Sequence, residues 1–358
     1  MRVLQIIDSL DAGGAERMAV SYANALVDKI DFSGLVATRA EGSLKSELGV
    51  GVSYLFLNKK NTLDFKALFR LRKWVIKNKV SHIQAHSSSF FIAFLLKITL
   101  PKMQLIWHDH YGNSEFLNKR PCLELKAIIP FFDGIISVNQ KLKTWAEENW
   151  LSKNSIYLPN FPTKQNAVAL PTILKGIESK RIVCLANLRM QKNHFLLLEV
   201  ANKIKETHPD WTFHLVGKDF QDEYSRHLKE KIAELNLEKT VFVYGSKNDV
   251  DFILNQSTIA VLTSQSEGLP VSLLEYGINR KPVIVTNVGE IASLVQHEVN
   301  GFVVSSNDGI SFYEALTKLI ESDDLRKKMG DALHEEVIKI YSEPTVIQKY
   351  LVWLKSLK

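Results

Sequence analysis

The sequence predicts an α/β fold built from two doubly wound domains, and three observations support this. The chain has 358 residues, which at roughly 100–200 residues per domain suffices for about two domains. Short β-rich runs alternate with helical patterns along the whole chain, which is typical of parallel sheets covered on both faces. Between the halves, the stretch Pro159–Lys180 contains three prolines and Gly176 without a periodic pattern, which indicates a linker.

Composition excludes several classes of protein. Hydrophobic residues make up 46% and charged residues 23%, which is ordinary for a globular chain and excludes wholesale disorder or a fibrous repeat. Two cysteines, Cys122 and Cys184, provide no disulfide framework and fit a reducing cytoplasm. The longest apolar run, Phe90–Leu96, is far shorter than the roughly 20 residues of a membrane-spanning helix. Because Asp8 interrupts the first apolar stretch, no secretory segment is indicated, and we expect a cytoplasmic protein.

Positive charge is concentrated in the first half. The net charge is +6, and residues 1–163 hold 21 Lys and Arg against 14 Asp and Glu. Much of the excess lies in Lys59–Lys79, where Asp64 is the one acidic residue. This run is either a solvated helix face or a contact for an anionic partner, such as nucleic acid or a membrane surface. The run Phe90–Leu96, beside Lys97 and Lys102, is either an amphipathic element resting on lipid or a buried core helix.

The strand–helix alternation gives a set of predicted elements in each half. The predicted strands are Val3–Ile7, Leu35–Thr38, Val52–Leu57, His82–Ala85, Gln104–Trp107, Gly134–Val138, Arg181–Leu185, Thr212–Val216, Val241–Tyr244, Thr258–Leu262 and Pro282–Thr286. The predicted helices are Ala15–Val27, Asp64–Lys77, Phe195–Glu206, Asp222–Leu235, Val271–Asn279 and a terminal amphipathic helix, Glu343–Leu357. In such folds ligands bind beyond the carboxyl ends of the strands, so the loops after strands are the places to search for chemistry.

Three of these loops carry suitable residues. Gly13 and Gly14 follow the first strand and lead into a helix, which suits phosphate but also suits a tight turn; the spacing is not that of a dinucleotide fingerprint. His108 and His110 follow the strand ending at Trp107, with His86 after a neighbouring strand, and substrate contact is favoured over a metal site. Arg189 and Lys192 follow the first strand of the second half, where cations can neutralise a diphosphate leaving group or simply be solvated.

The most informative string is Ser264–Glu275. Glu267 and Gly268 follow a strand, and Pro270 fits the first turn of a helix, so the amides around Gly268–Ser272 form an anion site. Glu275 lies five residues beyond Pro270, roughly 7.5 Å along the helix axis. That separation suits a nucleoside diphosphate, with its phosphate at the helix end and its ribose at Glu275.

This string resembles the E-x7-E signature of the retaining glycosyltransferases of family 4, which have the two-domain GT-B fold. The further passages that agree are Gly13–Glu16, the strand end at His108, Leu158–Phe161, Arg189–Asn193 and Glu298–Val303. The resemblance implies two Rossmann-like domains facing a central cleft, residues 1–163 for the acceptor and residues 164–342 for the donor. It also implies that the C-terminal helix, residues 343–358, crosses back to the first domain.

The resemblance implies roles for individual residues. Glu267 would contact the hydroxyls of the donor sugar, Lys192 and Arg189 the diphosphate, and His108 the region of the transferred sugar; these four are the candidate catalytic residues. The candidate donor-binding residues are Gly13, Gly14, Gly268, Leu269, Pro270, Val271 and Glu275, and those on the acceptor side are His110 and His86. Many family members have Gly-Arg where this chain has Ala186 and Asn187, which makes Lys192 the safer diphosphate contact.

The function implied is a hexosyl-type transfer (EC 2.4) from a UDP- or GDP-sugar to a hydroxyl, with retention of anomeric configuration. The resemblance implies an acceptor that is a saccharide or a lipid-linked saccharide in surface polysaccharide synthesis, on the inner face of a membrane. It implies no metal or other cofactor and no nucleic acid. The alternatives are a nucleotide-sugar epimerase of GT-B fold and a non-catalytic nucleotide-sugar binding protein.

Overall fold

The structure, a computed structural model, describes residues 1–11, 13–112, 117–118, 120, 123–150, 154–162 and 171–357. It divides into two compact units. The first consists of Met1–Thr163 and Glu343–Lys358, and the second of Lys164–Ser342. In the described part of the chain, no helix is both long enough and apolar enough to cross a membrane.

The elements alternate along the chain as the sequence predicted. The strands are β1 (Arg2–Ser9), β2 (Phe32–Ala40), β3 (Ser53–Phe56), β4 (His82–His86), β5 (Gln104–Asp109), β6 (Gly134–Ser137), β7 (Ser155–Tyr157), β8 (Arg181–Leu185), β9 (Thr212–Val216), β10 (Val241–Gly245), β11 (Ile259–Leu262), β12 (Val283–Thr286) and β13 (Phe302–Val304). The helices are α1 (Gly14–Leu26), α2 (Phe65–Lys77), α3 (Phe90–Thr99), α4 (Leu123–Ile128), α5 (Gln140–Trp150), α6 (His194–Thr207), α7 (Glu223–Glu234), α8 (Val250–Asn255), α9 (Val271–Ile278), α10 (Ile291–Leu294), α11 (Gly309–Glu321), α12 (Asp323–Tyr341) and α13 (Glu343–Ser356).

Each unit contains one parallel sheet. The first sheet has the order β3-β2-β1-β4-β5-β6-β7 and the second the order β10-β9-β8-β11-β12-β13. Both orders reverse direction beside their first strand, so that β1 and β4 in one unit, and β8 and β11 in the other, flank a topological switch point. The predicted α/β class with two doubly wound sheets is confirmed. The switch points are where loops diverge and leave room for ligands.

The strands form where they do because aliphatic residues fill both faces of each sheet. Strand β8, for example, is buried at all five positions. In the first unit, α13 packs on α1: Tyr350 of α13 lies edge-on to Tyr22 of α1, with 5.0 Å between the ring centroids. Gly134, which starts β6, lies directly under the Trp353 ring and has no room for a Cβ.

Differences from the predicted elements have local causes. Asp64 is the cap of α2 rather than its first residue, since its carboxylate accepts the Ala67 N–H at 3.0 Å. Strands β7 and β13 were not predicted, because three residues are too few to show a period. Strand β5 continues through His108 and Asp109, because β6 pairs with both residues. The prediction that a loop begins at His108 was wrong by these two residues.

The apolar run Phe90–Leu96 forms most of α3. Ile92, Ala93 and Leu96 are buried in the core of the first unit. Of the two readings that the sequence left open, the structure favours the core helix. Cys184 is also buried as a free thiol, and burial raises its pKa to about 12; Cys122 and residues 163–170 of the predicted linker lie outside the described residues.

Candidate active site

Three histidines meet at the carboxyl edge of the first sheet. His86 pairs in register with His108 on the adjacent strand, and His110 lies two residues further on the same face. His86 Nδ1 is 3.0 Å from His110 Nε2, and the rings of His108 and His110 lie 4.0 Å apart. Burial lowers the pKa of all three, that of His110 to about 3, so the cluster is uncharged near neutral pH.

Two glutamines hold the buried histidines in place. Gln5 Oε1 lies 2.7 Å from His86 Nε2, and Gln84 Nε2 lies 2.7 Å from His108 Nδ1. His108 itself is 1% exposed, whereas His110 is half-buried and lines a cavity of about 600 Å³. Of the sequence-predicted residues on this edge, His110 is therefore the imidazole that a ligand in the cavity would meet.

An ion pair between Arg120 and Asp109 forms part of the cavity wall beside His110. Arg120 donates two hydrogen bonds to the carboxylate of Asp109, at 2.7 and 2.8 Å, and both side chains are almost fully buried. The guanidinium lies over Tyr111 and Trp145, at 4.4 and 4.5 Å from the ring centroids. Bidentate geometry and two aromatic faces fix this arginine in one orientation.

The glycine pair lies at the start of α1. Gly13 precedes the first helical residue, and a Cβ there would lie 2.2 Å from a carboxylate oxygen of Glu16. A Cβ on Gly14 would meet no atom within 4 Å. A side chain at Gly13 would therefore collide with Glu16, whereas the space beside Gly14, after β1, is open.

The second sheet brings Lys192 and Glu267 together across the switch point. Lys192 lies in the loop after β8 and Glu267 in the loop after β11, and Nζ lies 2.5 Å from Oε1. Ser264 donates its hydroxyl to the same carboxylate oxygen at 2.6 Å. The side chains are 19% and 9% exposed, so the pair is shielded without being sealed.

Hydrogen bonds join the two loops behind this pair. Thr263 donates its hydroxyl to the carbonyl of Lys192 at 3.0 Å, and the Gln265 amide donates to the carbonyl of Gln191 at 2.7 Å. Thr286 at the end of β12 anchors Ser264 by donating to its carbonyl at 2.5 Å. The ion pair is therefore supported from three strands.

Gly289 is required by the backbone of the Glu267 loop. Its φ is +61°, and a Cβ there would lie 2.1 Å from the carbonyl oxygen of Glu267. The neighbouring amide of Glu290 donates to the carbonyl of Gly268 at 3.2 Å. The segment after β12 thus packs against the backbone of the Glu267 loop. At position 289 this close approach and the positive φ require glycine.

Helix α9 starts directly after this loop. Pro270 is the residue before the helix rather than in its first turn, with an extended ψ of 133°, and the Leu273 amide donates to its carbonyl at 3.1 Å. Leu269 is buried and anchors the approach to the helix. Glu275 is half-buried one turn into α9. The helix N-terminus, which starts at Val271, and the Glu275 carboxylate belong to one short element, as the sequence predicted.

Arg189 points into a different environment from that of Lys192. Its guanidinium lies over the Phe220 ring, 4.4 Å from the centroid, in a cavity of about 870 Å³ that also includes Gln265. Asn187, in the same loop, accepts the Lys218 amide at 2.8 Å and joins the loops after β8 and β9. In the structure, therefore, Lys192 contacts Glu267 while Arg189 contacts an aromatic ring.

Two family models match the chain in succession. The model described as Glycosyltransferase Family 4 matches residues 12–161, and the one described as Glycosyl transferases group 1 matches residues 172–335. The chain is a member of the group 1/family 4 glycosyltransferases. The predicted family is therefore confirmed.

Relatives of this glycosyltransferase match it over most of its length. An uncharacterized glycosyltransferase of Haemophilus influenzae is 25% identical over 327 residues, which are 89% of this chain and 90% of the relative. The UDP-Gal:alpha-D-GlcNAc-diphosphoundecaprenol alpha-1,3-galactosyltransferase of Escherichia coli is 28% identical over 277 residues, or 72% and 71% of the two chains. The structure of Anabaena HepE in complex with UDP superposes with a TM-score of 0.78 at 17% identity, covering all of both chains, which establishes the GT-B fold.

Sequence reasoning missed several residues of this glycosyltransferase that support the site. Gln5 and Gln84 are polar residues in the middle of buried strands, and that interruption is a signal that could have identified them. Arg120 and Phe220 carry no such signal, because their partners are reached only through the fold. The same holds for Ser264, whose carboxylate partner depends on the shape of one loop.

Proposed function

We propose that this glycosyltransferase moves a hexosyl group from a nucleoside-diphosphate sugar to an acceptor hydroxyl with retention of anomeric configuration. In this reaction the bond from the anomeric carbon to the phosphate oxygen breaks, and a bond from the acceptor oxygen to the anomeric carbon forms on the same face. The acceptor proton passes to the departing phosphate oxygen. The protein then has to position the reactants and stabilise the charge of the leaving diphosphate.

The observation that carries this proposal is the contact between Lys192 and Glu267. A lysine is a point charge on a flexible stem, and this one makes a single contact with its carboxylate partner. When a diphosphate arrives, Lys192 can turn to it while Ser264 keeps Glu267 in place. The Glu267 carboxylate then accepts hydrogen bonds from the sugar hydroxyls in place of the Lys192 ammonium. The pair thus supplies one group for each half of the donor.

The donor nucleotide would extend along α9. The helix N-terminus at Val271 offers partial positive charge to a phosphate, and Glu275 one turn later can accept both ribose hydroxyls. Gly268 keeps the approach to these amides open. The aromatic cavity at Arg189 and Phe220 is of a size for a further part of the donor.

For the acceptor we propose a lipid-linked saccharide, whose sugar enters the cavity at His110 in the first unit. The cavity is lined by Trp107, Tyr111 and the His110 imidazole, a mixture of apolar and hydrogen-bonding groups. The name of the Escherichia coli relative describes a diphosphoundecaprenol-linked acceptor. An acceptor of that class has an anionic, membrane-bound end.

A membrane contact through α2 would bring the enzyme to such an acceptor. Phe65, Phe69 and Ile76 lie on one stripe of this helix and are 65%, 67% and 49% exposed. Exposed lysines and arginines flank the stripe: Lys66, Arg70, Lys73 and Lys77. An apolar stripe beside cations is the pattern that binds anionic lipid surfaces. Lys59, by contrast, is buried, and burial lowers its pKa, so it does not belong to this face.

Calorimetric titration tests the donor site. We expect one of UDP, GDP or ADP to bind the intact protein, at least 10-fold more weakly after Glu275→Ala. Glu238→Ala, an exposed glutamate of the same unit, is the matched control and should bind as the unmodified protein does. If none of the three nucleotides binds, the donor assignment is wrong. Proton NMR of the product, showing the same anomeric configuration as the donor, checks retention.

Vesicle flotation tests the membrane contact separately. The protein should float with vesicles that contain anionic phospholipid and not with neutral ones, and Phe65→Ser with Phe69→Ser should abolish flotation. Ile310→Ser removes a residue of similar exposure, 64%, from the second unit and should have no effect. Equal recovery with both vesicle types would exclude this surface.

A further inference from the structure

The three-histidine cluster of the first unit has a geometry that contact with a sugar does not explain. One nitrogen from each of His86, His108 and His110 lies within 4.8 Å of the other two. The register of β4 and β5 brings this about: His86 lies opposite His108, and the alternation along β5 turns His110 to the same face. Three imidazole nitrogens this close to one another are a set that a metal ion can bind.

One buried histidine already has the hydrogen bond that a metal-binding histidine requires. A ligating histidine normally donates its second N–H to a carbonyl, which fixes the ring and its tautomer. His86 Nε2 lies 2.7 Å from Gln5 Oε1 in this way, which leaves Nδ1 directed at the cluster. At His108 the Gln84 Nε2 group donates to Nδ1 at 2.7 Å.

An unsatisfied atom marks the centre of the cluster. His108 Nε2 is buried and has no hydrogen-bond partner in the described part of the chain, and the same is true of Gln84 Oε1. A half-turn of the Gln84 amide would let Oε1 accept the proton of His108 Nδ1 and leave a lone pair on Nε2. One rotation thus satisfies a buried oxygen and creates a metal ligand.

We propose that His86 Nδ1, His108 Nε2 and His110 Nε2 bind one divalent transition-metal ion, for which Zn²⁺ is the best match. Imidazole nitrogens suit Zn²⁺, and three of them leave a fourth position for water. Tetrahedral coordination needs nitrogens about 3.4 Å apart at Zn–N distances of about 2.1 Å. His86 Nδ1 and His110 Nε2 are now 3.0 Å apart, so a small opening of the cluster suffices.

A metal ion could reach the histidine cluster from solvent, but the cluster should bind it only moderately tightly. His110 is half-buried and lines the cavity of about 600 Å³, through which an ion can reach the buried pair. The nearby carboxylates are engaged elsewhere, Asp109 with Arg120 and Asp8 with the hydroxyls of Thr38 and Ser88. Neither of these two carboxylates is available to offset the charge of the ion, and we expect affinity in the micromolar range. The site shares His110 with the proposed acceptor cavity, and its test needs no transfer assay.

Cobalt titration tests the site without any assay of transfer. Tag-free, full-length protein freed of metal by chelator is titrated with Co²⁺ alone and followed by visible absorption. One equivalent should produce the d–d bands of a low-symmetry cobalt site, and Zn²⁺ should abolish them. No bands, or bands that grow without saturation, would overturn the proposal.

Two variants assign the ligands. His110→Ala, at the cavity wall, should weaken Co²⁺ binding at least 10-fold, and His227→Gln, an exposed histidine of the second unit, should leave it unchanged. Far-ultraviolet circular dichroism verifies that both variants fold. Unchanged binding by His110→Ala would refute the assignment.

X-ray absorption of the unmodified protein loaded with Zn²⁺ gives a check that needs no variant. The first shell should contain three imidazole nitrogens at about 2.0–2.1 Å. A shell dominated by oxygen would likewise count against the site.

Discussion

The two units of this glycosyltransferase each place an ion pair at the carboxyl edge of a parallel sheet, but the pairs differ in freedom. In the first unit, Arg120 binds Asp109 with two hydrogen bonds between aromatic rings, and the side chains are 6% and 2% exposed. In the second unit, Lys192 makes one contact with Glu267, and the side chains are 19% and 9% exposed.

The difference indicates a structural role for the Arg120–Asp109 pair and a role in the reaction for the Lys192–Glu267 pair. A bidentate, stacked arginine loses two hydrogen bonds and two ring contacts if it moves, so its pair is a fixed part of the fold. A singly bonded lysine near solvent can exchange its carboxylate for a phosphate at little cost. Substitutions in the first pair should therefore change stability, and substitutions in the second should change turnover.

The largest expected effect is that of Arg120→Ala on stability. The change leaves the buried Asp109 carboxylate without a cation and with only the Tyr111 amide donating to it, at 3.2 Å, which costs about 3–5 kcal/mol. Urea unfolding monitored by circular dichroism should show this loss. A loss below about 1 kcal/mol would mean that the first pair is no more structural than the second.

Lys192→Ala should act on turnover instead. Removing the cation from the leaving diphosphate should lower kcat by about 10²–10³-fold. The free energy of unfolding should fall by less than in Arg120→Ala, because Lys192 is 19% exposed and Ser264 still donates to Glu267. Lys229→Ala, which breaks an exposed pair with Asp219, is the control and should change neither quantity. Turnover close to that of the unmodified enzyme would remove Lys192 from the mechanism.

Gly289→Ala tests whether the second pair depends on the backbone beneath it. The new Cβ would sit at a positive φ and 2.1 Å from the Glu267 carbonyl oxygen, so the loop must shift. We expect a loss of about 1–3 kcal/mol in unfolding free energy together with reduced turnover. Gly309→Ala, at the start of α11 and without a positive φ, should affect turnover little. Full activity in Gly289→Ala would show that the loop tolerates displacement.

His214, a buried histidine of the second unit, allows the pH dependence of stability to be tested without changing the Lys192–Glu267 ion pair. His214 lies between Thr212 and Tyr244, and burial lowers its pKa to about 3. Its unfolded pKa is about 6.5, so as pH falls below this value the unfolded chain takes up a proton that the folded one refuses. Stability is then lost progressively between about pH 6.5 and 3.

The matching measurement is urea unfolding at pH 7.5 and pH 5.0. The unmodified protein should lose up to about 2 kcal/mol more than His214→Gln over this interval. Identical pH dependence in both proteins would mean that His214 is protonated in the folded state.

The smallest effect should come from Tyr22→Phe in the first unit. Its hydroxyl is buried, and the described residues offer it no hydrogen-bond partner; burial also raises its pKa well above the usual range. Removing an unsatisfied hydroxyl should change the free energy of unfolding by less than about 1 kcal/mol, with stabilisation favoured. A loss above about 2 kcal/mol in urea unfolding would show that a buried water satisfies it.

The fold could be predicted from the sequence because its signals are local. Strands β8 and β9 were predicted with their observed bounds, since short runs rich in β-branched and apolar residues, flanked by residues that break regular structure, indicate strands. The start of α9 at Val271 was also predicted, although Pro270 precedes the helix and does not lie in its first turn as expected. The short strands β7 and β13 were missed for want of length.

In the candidate site, too, local features could be predicted from the sequence, whereas contacts between distant residues could not. The sequence by itself determined that Glu267, Pro270 and Glu275 share one loop and helix, and that loops after strands carry the polar residues. Only the tertiary structure decided that Lys192 meets Glu267, 75 residues away, and that Arg189 turns to Phe220. It also decided that His86 joins His108 and His110 in a neutral cluster. Contacts of this kind depend on which strands become neighbours, and strand order is set by the packing of whole βαβ units rather than by any residue's own propensity.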